Sequence, residues 1–242
     1  MKLHITGATG YLGSELVRLR PDASTERVEI RDREAVRALF ERLRPDVVIH
    51  TAYRQDEDDV NTIGSENVAA AAAAVGARLV HLSTDVVFDG RKGAPYVEAD
   101  SPSPVTDYGR AKAEAEVRVA ASHPEALLVR TSLLYGGAEP SKHELAARDP
   151  GLTFFTNEVR SPVHVADLAR ALLELVELDL AGPLHVAGAD AVSRAEFAEL
   201  LSGAAVRSGP APDTRPLECS LDSSRAQALL RTRLRGIRDV LR

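Results

Sequence analysis

Tyr108 and Lys112 are a pair of residues whose types and spacing could do proton-transfer chemistry. They are four positions apart on a predicted helix and therefore share one face. A free tyrosine has a pKa of about 10 and transfers protons poorly near neutrality, but a neighbouring ammonium group lowers that pKa. Thr84 follows a predicted strand and can hydrogen-bond a substrate oxygen while Tyr108 passes a proton to it. Because many surface helices carry such a pair, a purely structural or regulatory site is the alternative.

A glycine-rich turn lies between the first predicted strand, Lys2 to Thr6, and the first predicted helix, Tyr11 to Leu19. Its three glycines would allow a tight turn, close approach of a pyrophosphate and close packing of helix on strand. The N-terminus of the helix offers unpaired N–H groups and a positive dipole end to phosphates. The alternative is a turn that binds nothing. The residues predicted to bind an NAD(P) cofactor in this turn are Gly7, Thr9, Gly10, Tyr11, Leu12 and Gly13.

The preference for NAD or NADP depends on two residues after the turn. Asp32 lies at about the distance at which an acidic residue binds the adenosine ribose. It equally suits the N-cap of the next predicted helix. Arg31 beside it suits the 2′-phosphate of NADP, so the sequence leaves both cofactors open.

Strand-like and helix-like segments alternate through residues 1–134. Predicted strands include 28–30, 46–50, 79–82 and 127–130, and a long helix is predicted over 59–75. Repeated units of this kind predict an α/β fold: a Rossmann-type, doubly wound parallel sheet with helices on both faces. After residue 134, glycine and proline residues interrupt the alternation of strands and helices, which predicts a small C-terminal substrate-binding lobe. The expected division is a cofactor-binding domain over 1–134 with part of 152–187, and a lobe formed by 135–151 and 188–242.

Composition limits the range of functions. The net charge is −6, aromatic residues make up 4% and no basic cluster stands out, so nucleic acid is not an expected partner. The single cysteine, Cys219, forms no internal disulfide or cysteine metal cluster, and no metal is predicted. The longest apolar stretch, 68–75, is too short to cross a membrane, and no signal-peptide pattern precedes the first strand. These features predict a cytoplasmic protein. The oligomeric state stays open, with a homodimer as one alternative.

Several motifs resemble the extended short-chain dehydrogenases/reductases, within the dTDP-4-dehydrorhamnose reductase group. They occur in the family's order over almost the whole chain. The matching segments are Thr6 to Gly13, Arg44 to His50, Leu82 to Gly90, Tyr108 to Lys112, Arg130 to Gly136 and Arg160 to Asp167.

The resemblance implies an NAD(P)H-dependent reductase of a 4-keto sugar nucleotide. It implies that Thr84, Tyr108 and Lys112 are catalytic and that Asn61 supports the proton relay. It implies nicotinamide-side contacts from Thr51, Ala52 and Ser83, and substrate contacts from Thr84, Asp85 and Arg160. For Arg160, which would meet the substrate pyrophosphate, a surface ion pair is the alternative. His164 is expected to be packed or structural.

The chain also departs from the family pattern. It is short, and the segments between Gly13 and Asp32, between Tyr53 and Asn61 and between Ser141 and Phe154 are compressed. Loops of this kind often carry binding residues, so substrate and cofactor preference could differ from the family's.

Two other functions therefore stay open. One is a cofactor-binding regulatory subunit that resembles the regulatory subunit of methionine adenosyltransferase. The other is a sugar-nucleotide epimerase or dehydratase. A dehydratase usually has an acidic pair after the threonine, and here Asp85 is followed by Val86, which leaves that pair incomplete.

Overall fold

The computed structural model of the chain describes residues 1–241, and its centre is a five-stranded parallel sheet. The sheet strands, in spatial order, are β1 (Leu3–Thr6), β2 (Val47–His50), β3 (Arg78–Thr84), β4 (Leu127–Thr131) and β9 (Gly182–His185). The shorter strands are β5 (Leu134–Tyr135), β6 (Phe154–Phe155), β7 (Val159–Arg160), β8 (Val163–His164), β10 (Val192–Ser193) and β11 (Ser208–Gly209).

Helices cover both faces of the sheet, which confirms the predicted Rossmann-type α/β fold. On one face α1 (Tyr11–Leu19) and α7 (Val165–Leu175) pack over a core that includes Ile5, Leu16 and Leu168. The other face carries α2 (Arg33–Leu43), α4 (Ile63–Val75) and α5 (Asp107–Ser122). The remaining helices are α3 (Asp58–Asn61), α6 (Lys142–Ala147), α8 (Arg194–Ser202), α9 (Ser224–Leu229) and α10 (Ile237–Val240).

The predicted strand over 28–30 is wrong. Instead Ser24 forms a single parallel bridge beside His4 at the free edge of β1, with backbone hydrogen bonds to Leu3 and Ile5. The chain then leaves the sheet, and Ile30 packs against α4, where Cδ1 of Ile30 lies 2.7 Å from the position that a Cβ of Gly64 would occupy. Ser24 thus already occupies the edge of β1 with which a strand over 28–30 would have to pair.

The predicted helix over 59–75 is interrupted at Thr62, which has φ −95° and ψ −74°. The Thr62 hydroxyl donates to the carbonyl oxygen of Asp58 at 2.8 Å, a local bond that competes with regular helix geometry. Two short helices, α3 and α4, therefore replace the single predicted one. Gly76, with φ +71°, ends α4 as expected.

The segments predicted to form the lobe contain α6, α8, α10 and the short strands β10 and β11. One small apolar cluster of these segments lies around Tyr135 and Phe197, and a second includes Ala198 together with Phe154 from the intervening segment. Arg242, the last residue assigned to the lobe, lies outside the described residues. None of the helices within 1–241 is long and apolar enough to cross a membrane.

Candidate active site

The glycine turn after β1 has the close contacts that a pyrophosphate-binding turn requires. Gly7 has φ +69°, and a Cβ there would lie 2.6 Å from the backbone N of Ala52. A Cβ on Gly13 would lie 2.1 Å from the carbonyl oxygen of Gly7. The N-cap residue of α1 is Gly10, which has no side chain to accept from the first N–H groups of the helix. The turn therefore fits the pyrophosphate of a dinucleotide, whose oxygens would accept from the first N–H groups of α1.

We expect Gly13→Ala to remove measurable NADPH binding, because the added methyl group overlaps the Gly7 carbonyl and must push α1 away from β1. NADPH fluorescence titration measures this effect. Ser14→Ala is the matched control, since the Ser14 hydroxyl only donates to the Tyr11 carbonyl oxygen on the exposed side of the helix. A Gly13→Ala variant that binds NADPH like the wild type would show that the turn does not hold the cofactor.

The two residues considered for the adenosine ribose already have protein partners. The Asp32 carboxylate accepts from the backbone N–H of Ala35 at 3.0 Å, so its capping role is observed. Arg31 donates to both carboxylate oxygens of Glu29, at 2.9 and 3.0 Å, and pairs with Glu57 at 3.2 Å. Both side chains are exposed, so cofactor contacts remain a prediction.

Thr84 and Tyr108 are brought to one place by the packing of α5 on the turn that follows β3. Gly109 makes this packing close, because a Cβ there would lie 2.3 Å from the carbonyl oxygen of Val86. Thr106 caps the helix by accepting from the Gly109 N–H at 3.0 Å. This packing role of Gly109 was not predicted, although a glycine directly after the tyrosine in the first turn of a helix indicates a close backbone contact.

Tyr108 is half-buried beside a second tyrosine. The ring centroids of Tyr53 and Tyr108 are 6.1 Å apart. Burial, together with the nearby Tyr53 and Asp85, raises the pKa of Tyr108 above its ordinary value. The lowering of the Tyr108 pKa that was expected from Lys112 is not observed, and Tyr108 holds its proton at neutral pH.

Lys112 is buried, with 3% of its surface exposed. Its ammonium group donates to the carbonyl oxygen of Leu82 at 2.6 Å and lies 3.4 Å from Nε2 of His81. Burial lowers the pKa of Lys112 to about 8, with partial compensation from the charge of Glu116. Lys112 therefore still carries a positive charge at pH 7 on the helix that also positions Tyr108.

The residues predicted to contact the nicotinamide side of the cofactor lie in two different surroundings. Thr51 and Ala52 lie at the carboxyl end of β2 against the glycine turn, where the Thr51 hydroxyl donates to the Thr6 carbonyl oxygen at 2.7 Å. Ser83 instead points into the protein and donates to Glu116 at 2.5 Å. Glu116 in turn forms a buried ion pair with Arg130 at 2.7 Å. This buried cluster was not predicted.

Asn61 is buried at the end of α3. Its side-chain oxygen accepts from the backbone N–H of Arg54 at 3.2 Å, and its amide donates to the Arg54 carbonyl oxygen. It thus holds the loop after Tyr53. A role for Asn61 in a proton relay remains a prediction.

Arg160 is not on the surface, so the alternative of a surface ion pair is wrong: 2% of its surface is exposed. Nη1 donates to the carbonyl oxygens of Val159 and Leu217, and Nη2 donates to Glu158 and the carbonyl oxygen of Pro216, all within 2.9 Å. Nε lies 3.7 Å from the buried carboxylate of Asp85. Protein groups therefore surround all the N–H donors of Arg160.

Asp85 and His164 also make internal contacts. The Asp85 carboxylate accepts from Thr84 at 3.2 Å and from Ser132 at 2.5 Å. His164 caps α7 by accepting from the Ala166 N–H at 3.3 Å, which agrees with its expected structural role. The predicted substrate contact of Asp85 remains a prediction.

The parallel sheet, the glycine turn and the Tyr108–Lys112 helix define a Rossmann-type dinucleotide-binding protein. The whole chain, residues 1–242, matches the RmlD substrate binding domain. The chain belongs to this family.

Relatives and solved structures agree with this assignment. The chain is 36% identical to the dTDP-4-dehydrorhamnose reductase of Mycobacterium tuberculosis over an alignment of 220 residues that covers 80% of this chain and 72% of that protein. It is 31% identical to methionine adenosyltransferase 2 subunit beta of Rattus norvegicus, covering 93% of this chain and 81% of the relative. The crystal structure of dTDP-4-dehydrorhamnose reductase from Bacillus anthracis in complex with NADP superposes with a TM-score of 0.86 at 27% identity, covering 100% and 98% of the two chains.

Proposed function

We propose that the chain is an NAD(P)H-dependent oxidoreductase that reduces a 4-keto sugar nucleotide, as dTDP-4-dehydrorhamnose reductases do. The observation that carries the proposal is the close packing of Gly109, the residue after Tyr108, on the Val86 carbonyl oxygen, because it brings the first turn of α5 to the segment that follows β3 and Thr84. Ligands of open α/β sheets bind at the carboxyl edge of the strands. The cofactor is NADP or NAD, and the chain's relatives include a reductase solved with NADP.

The protein groups would act on the substrate carbonyl oxygen. The reduced cofactor, held through its pyrophosphate at the glycine turn, would supply the hydride to the carbonyl carbon. The Thr84 hydroxyl, which now donates to Asp85, would donate to the carbonyl oxygen and orient it. Tyr108 is protonated at neutral pH and would transfer its phenolic proton to that oxygen. The charge of Lys112 would stabilise the phenolate that remains.

The direct test is oxidation of NADPH and NADH with a panel of dTDP- and UDP-linked 4-keto sugars, followed by absorbance. Consumption of the reduced cofactor that depends on one of these sugars is expected. If every keto sugar nucleotide leaves the cofactor unchanged while cofactor binding is normal, the proposed reaction is wrong.

The pH dependence follows from Lys112. Its pKa is lowered to about 8, so the ammonium form predominates below that pH and is lost as the pH rises through it. We therefore expect kcat/KM for the cofactor, which reports on groups of the free enzyme, to fall above pH about 8. Titration of Tyr108 should not change kcat/KM below pH 10, because its pKa is raised. A profile that stays level up to pH 10 would contradict a role for the Lys112 charge.

A regulatory role is the second candidate, because the relatives include a subunit of methionine adenosyltransferase. It predicts cofactor binding without turnover and a stoichiometric enzyme partner in a pull-down. An epimerase or dehydratase is less favoured by the geometry, since the acid after Thr84, Asp85, is buried and paired with Arg160. Cofactor that stays bound in oxidised form through purification would favour an epimerase or dehydratase.

The proposal also includes the division of the chain and its setting. Residues 1–134 with part of 152–187 would bind the cofactor, and 135–151 with 188–242 would close over the substrate. A cytoplasmic location and assembly into a homodimer belong to the same proposal. Light scattering of the purified chain measures the state of assembly.

A further inference from the structure

Three basic side chains lie together where the first turns of α6 and α8 meet. Nη1 of Arg194 is 3.5 Å from Nδ1 of His143. Both groups pack on the buried ring of Phe197, with the Arg194 guanidinium 5.8 Å and the His143 ring 6.0 Å from its centroid. Lys142 is adjacent to His143 in the chain, and its ammonium group donates to the side-chain oxygen of Gln55 at 2.9 Å. We call Lys142, His143 and Arg194 the basic cluster.

The positive charges of the basic cluster are not matched by carboxylates. Among residues 1–241, neither Lys142 nor Arg194 has a carboxylate within ion-pair distance. Of the acidic groups whose charge raises the pKa of Arg194, Glu158 has the largest effect. Its carboxylate already pairs with Arg160 at 2.8 Å and with Arg215 at 3.0 Å. Arg194 is half-buried and Lys142 is exposed, and the charge of Asp56 acts on Lys142 without an ion pair between them. Two neighbouring cations that form no ion pair are a favourable site for an anion.

Burial, and to a smaller extent the neighbouring cations, disfavours the protonated forms of His143 and Lys142. Burial lowers the pKa of His143 to about 3, and the charges of Arg194 and Lys142 contribute in the same direction. Burial and the charge of Arg194 also lower the pKa of Lys142, and the charge of Asp56 acts in the opposite direction. His143 is therefore neutral. When its Nδ1 accepts from Arg194, its Nε2 carries the proton and can donate to a further group.

The basic cluster borders the proposed active site. The Arg194 backbone N–H donates to the carbonyl oxygen of Glu158 at 2.8 Å, which places Arg194 beside β7 and therefore beside Arg160, the partner of Asp85. On the other side, Lys142 reaches Gln55, two residues after Tyr53, whose ring lies against Tyr108. An anion on the cluster would thus lie on the lobe side of the Thr84–Tyr108 site.

We propose that Lys142, His143 and Arg194 bind the diphosphate of a nucleoside-diphosphate-linked substrate, the role that the sequence assigned to Arg160. This inference rests on the proposed function, because it names which residues would hold the charged part of that substrate. The Arg194 guanidinium can donate two parallel hydrogen bonds to phosphate oxygens, and Lys142 contributes a point charge. Arg160 cannot take this role without giving up the internal partners of its guanidinium.

The test is calorimetric titration of the NADP-saturated protein with dTDP and UDP. Thymidine and uridine serve as the uncharged ligands. Arg194→Met and Lys142→Met should each weaken diphosphate binding about 10- to 100-fold, the loss expected for a charge-assisted hydrogen bond. NADP affinity and the melting temperature should not change. Arg194→Lys should weaken binding less than Arg194→Met, because lysine keeps the positive charge but lacks the planar pair of donors of the guanidinium group.

Arg148→Met is the matched control, since Arg148 is exposed at the other end of α6 and its loss removes the same charge. It should bind dTDP and UDP like the wild type. Raising the salt concentration should weaken diphosphate binding in the wild type more than in the two cluster variants.

Failure of this inference and failure of the proposed function give different results. If the wild type reduces a keto sugar nucleotide and both cluster variants bind diphosphates normally, the inference is overturned and the reductase function stands. If the wild type binds dTDP or UDP through Arg194 but turns over no keto sugar, the inference stands and the reductase function falls. Wild-type protein that binds neither diphosphate overturns the inference, as does a loss of NADP binding in Arg194→Met.

Discussion

A Tyr108→Phe variant is expected to lose about 10²- to 10⁴-fold in kcat for keto-sugar reduction, the range associated with general acid catalysis. The substitution removes the phenolic proton that would be transferred to the carbonyl oxygen. It keeps the ring that packs beside Tyr53, so the first turn of α5 should stay in place. Rates are measured by oxidation of NADPH, and the dissociation constant of NADPH, measured separately, should stay close to the wild-type value.

Tyr135→Phe is the matched control for this experiment. The Tyr135 ring is fully buried, and its hydroxyl has no hydrogen-bond partner within the described chain. Removing that hydroxyl should leave kcat unchanged and should not lower the melting temperature. Wild-type activity in Tyr108→Phe would exclude Tyr108 as the proton donor, whatever the behaviour of the control.

An Arg160→Met variant is expected to lower the free energy of unfolding by about 3 to 5 kcal/mol, the usual result of removing one member of a buried ion pair. The Asp85 carboxylate would lose its cationic neighbour, and the carbonyl oxygens of Leu217 and Pro216 would lose a buried donor. Urea denaturation measures this change.

Arg215→Met separates burial from charge, because Arg215 pairs with the same Glu158 but has a side chain that is 45% exposed. We expect this variant to lose at most about 1 kcal/mol, as is typical of exposed ion pairs. If Arg160→Met keeps its stability and only weakens substrate binding, then the substrate contact predicted for Arg160 is right and the structural role is not.

Much of the fold could be predicted from the periodicity of apolar residues and from the residues that begin and end helices. Pro45 and Gly76 mark the ends of helices, and Asp32 begins one as its N-cap. The buried strand before Thr51 was readable as an unbroken apolar run. The wrong strand over 28–30 had a comparable local pattern, but a short run of this kind becomes a strand only when a free sheet edge is within reach. Here Ser24 already occupies the edge beside β1.

The candidate site was predictable in its residue types and less so in its contacts. Thr84 could be placed at the ligand-binding edge because it ends a parallel strand, and Tyr108 could be paired with Lys112 because the two are four positions apart on one helix. The direction of Ser83 could not be predicted, because its partner Glu116 is 33 positions away on α5. The basic cluster was missed for the same reason, since Lys142 and Arg194 come together only through the packing of α6 on α8 around Phe197.

The sequence by itself determined the parallel α/β sheet, the glycine turn and the spacing of Tyr108 and Lys112, since all three depend on residues that are close in the chain. Tertiary structure decided which charged groups are buried and which are free to meet a ligand. Arg160 is the last residue of the short strand β7 and Arg194 directly follows the short strand β10, and no local pattern separates the two arginines. Their difference arises because Arg160 is surrounded by distant carbonyl and carboxylate groups, whereas the carboxylates near Arg194 already have partners.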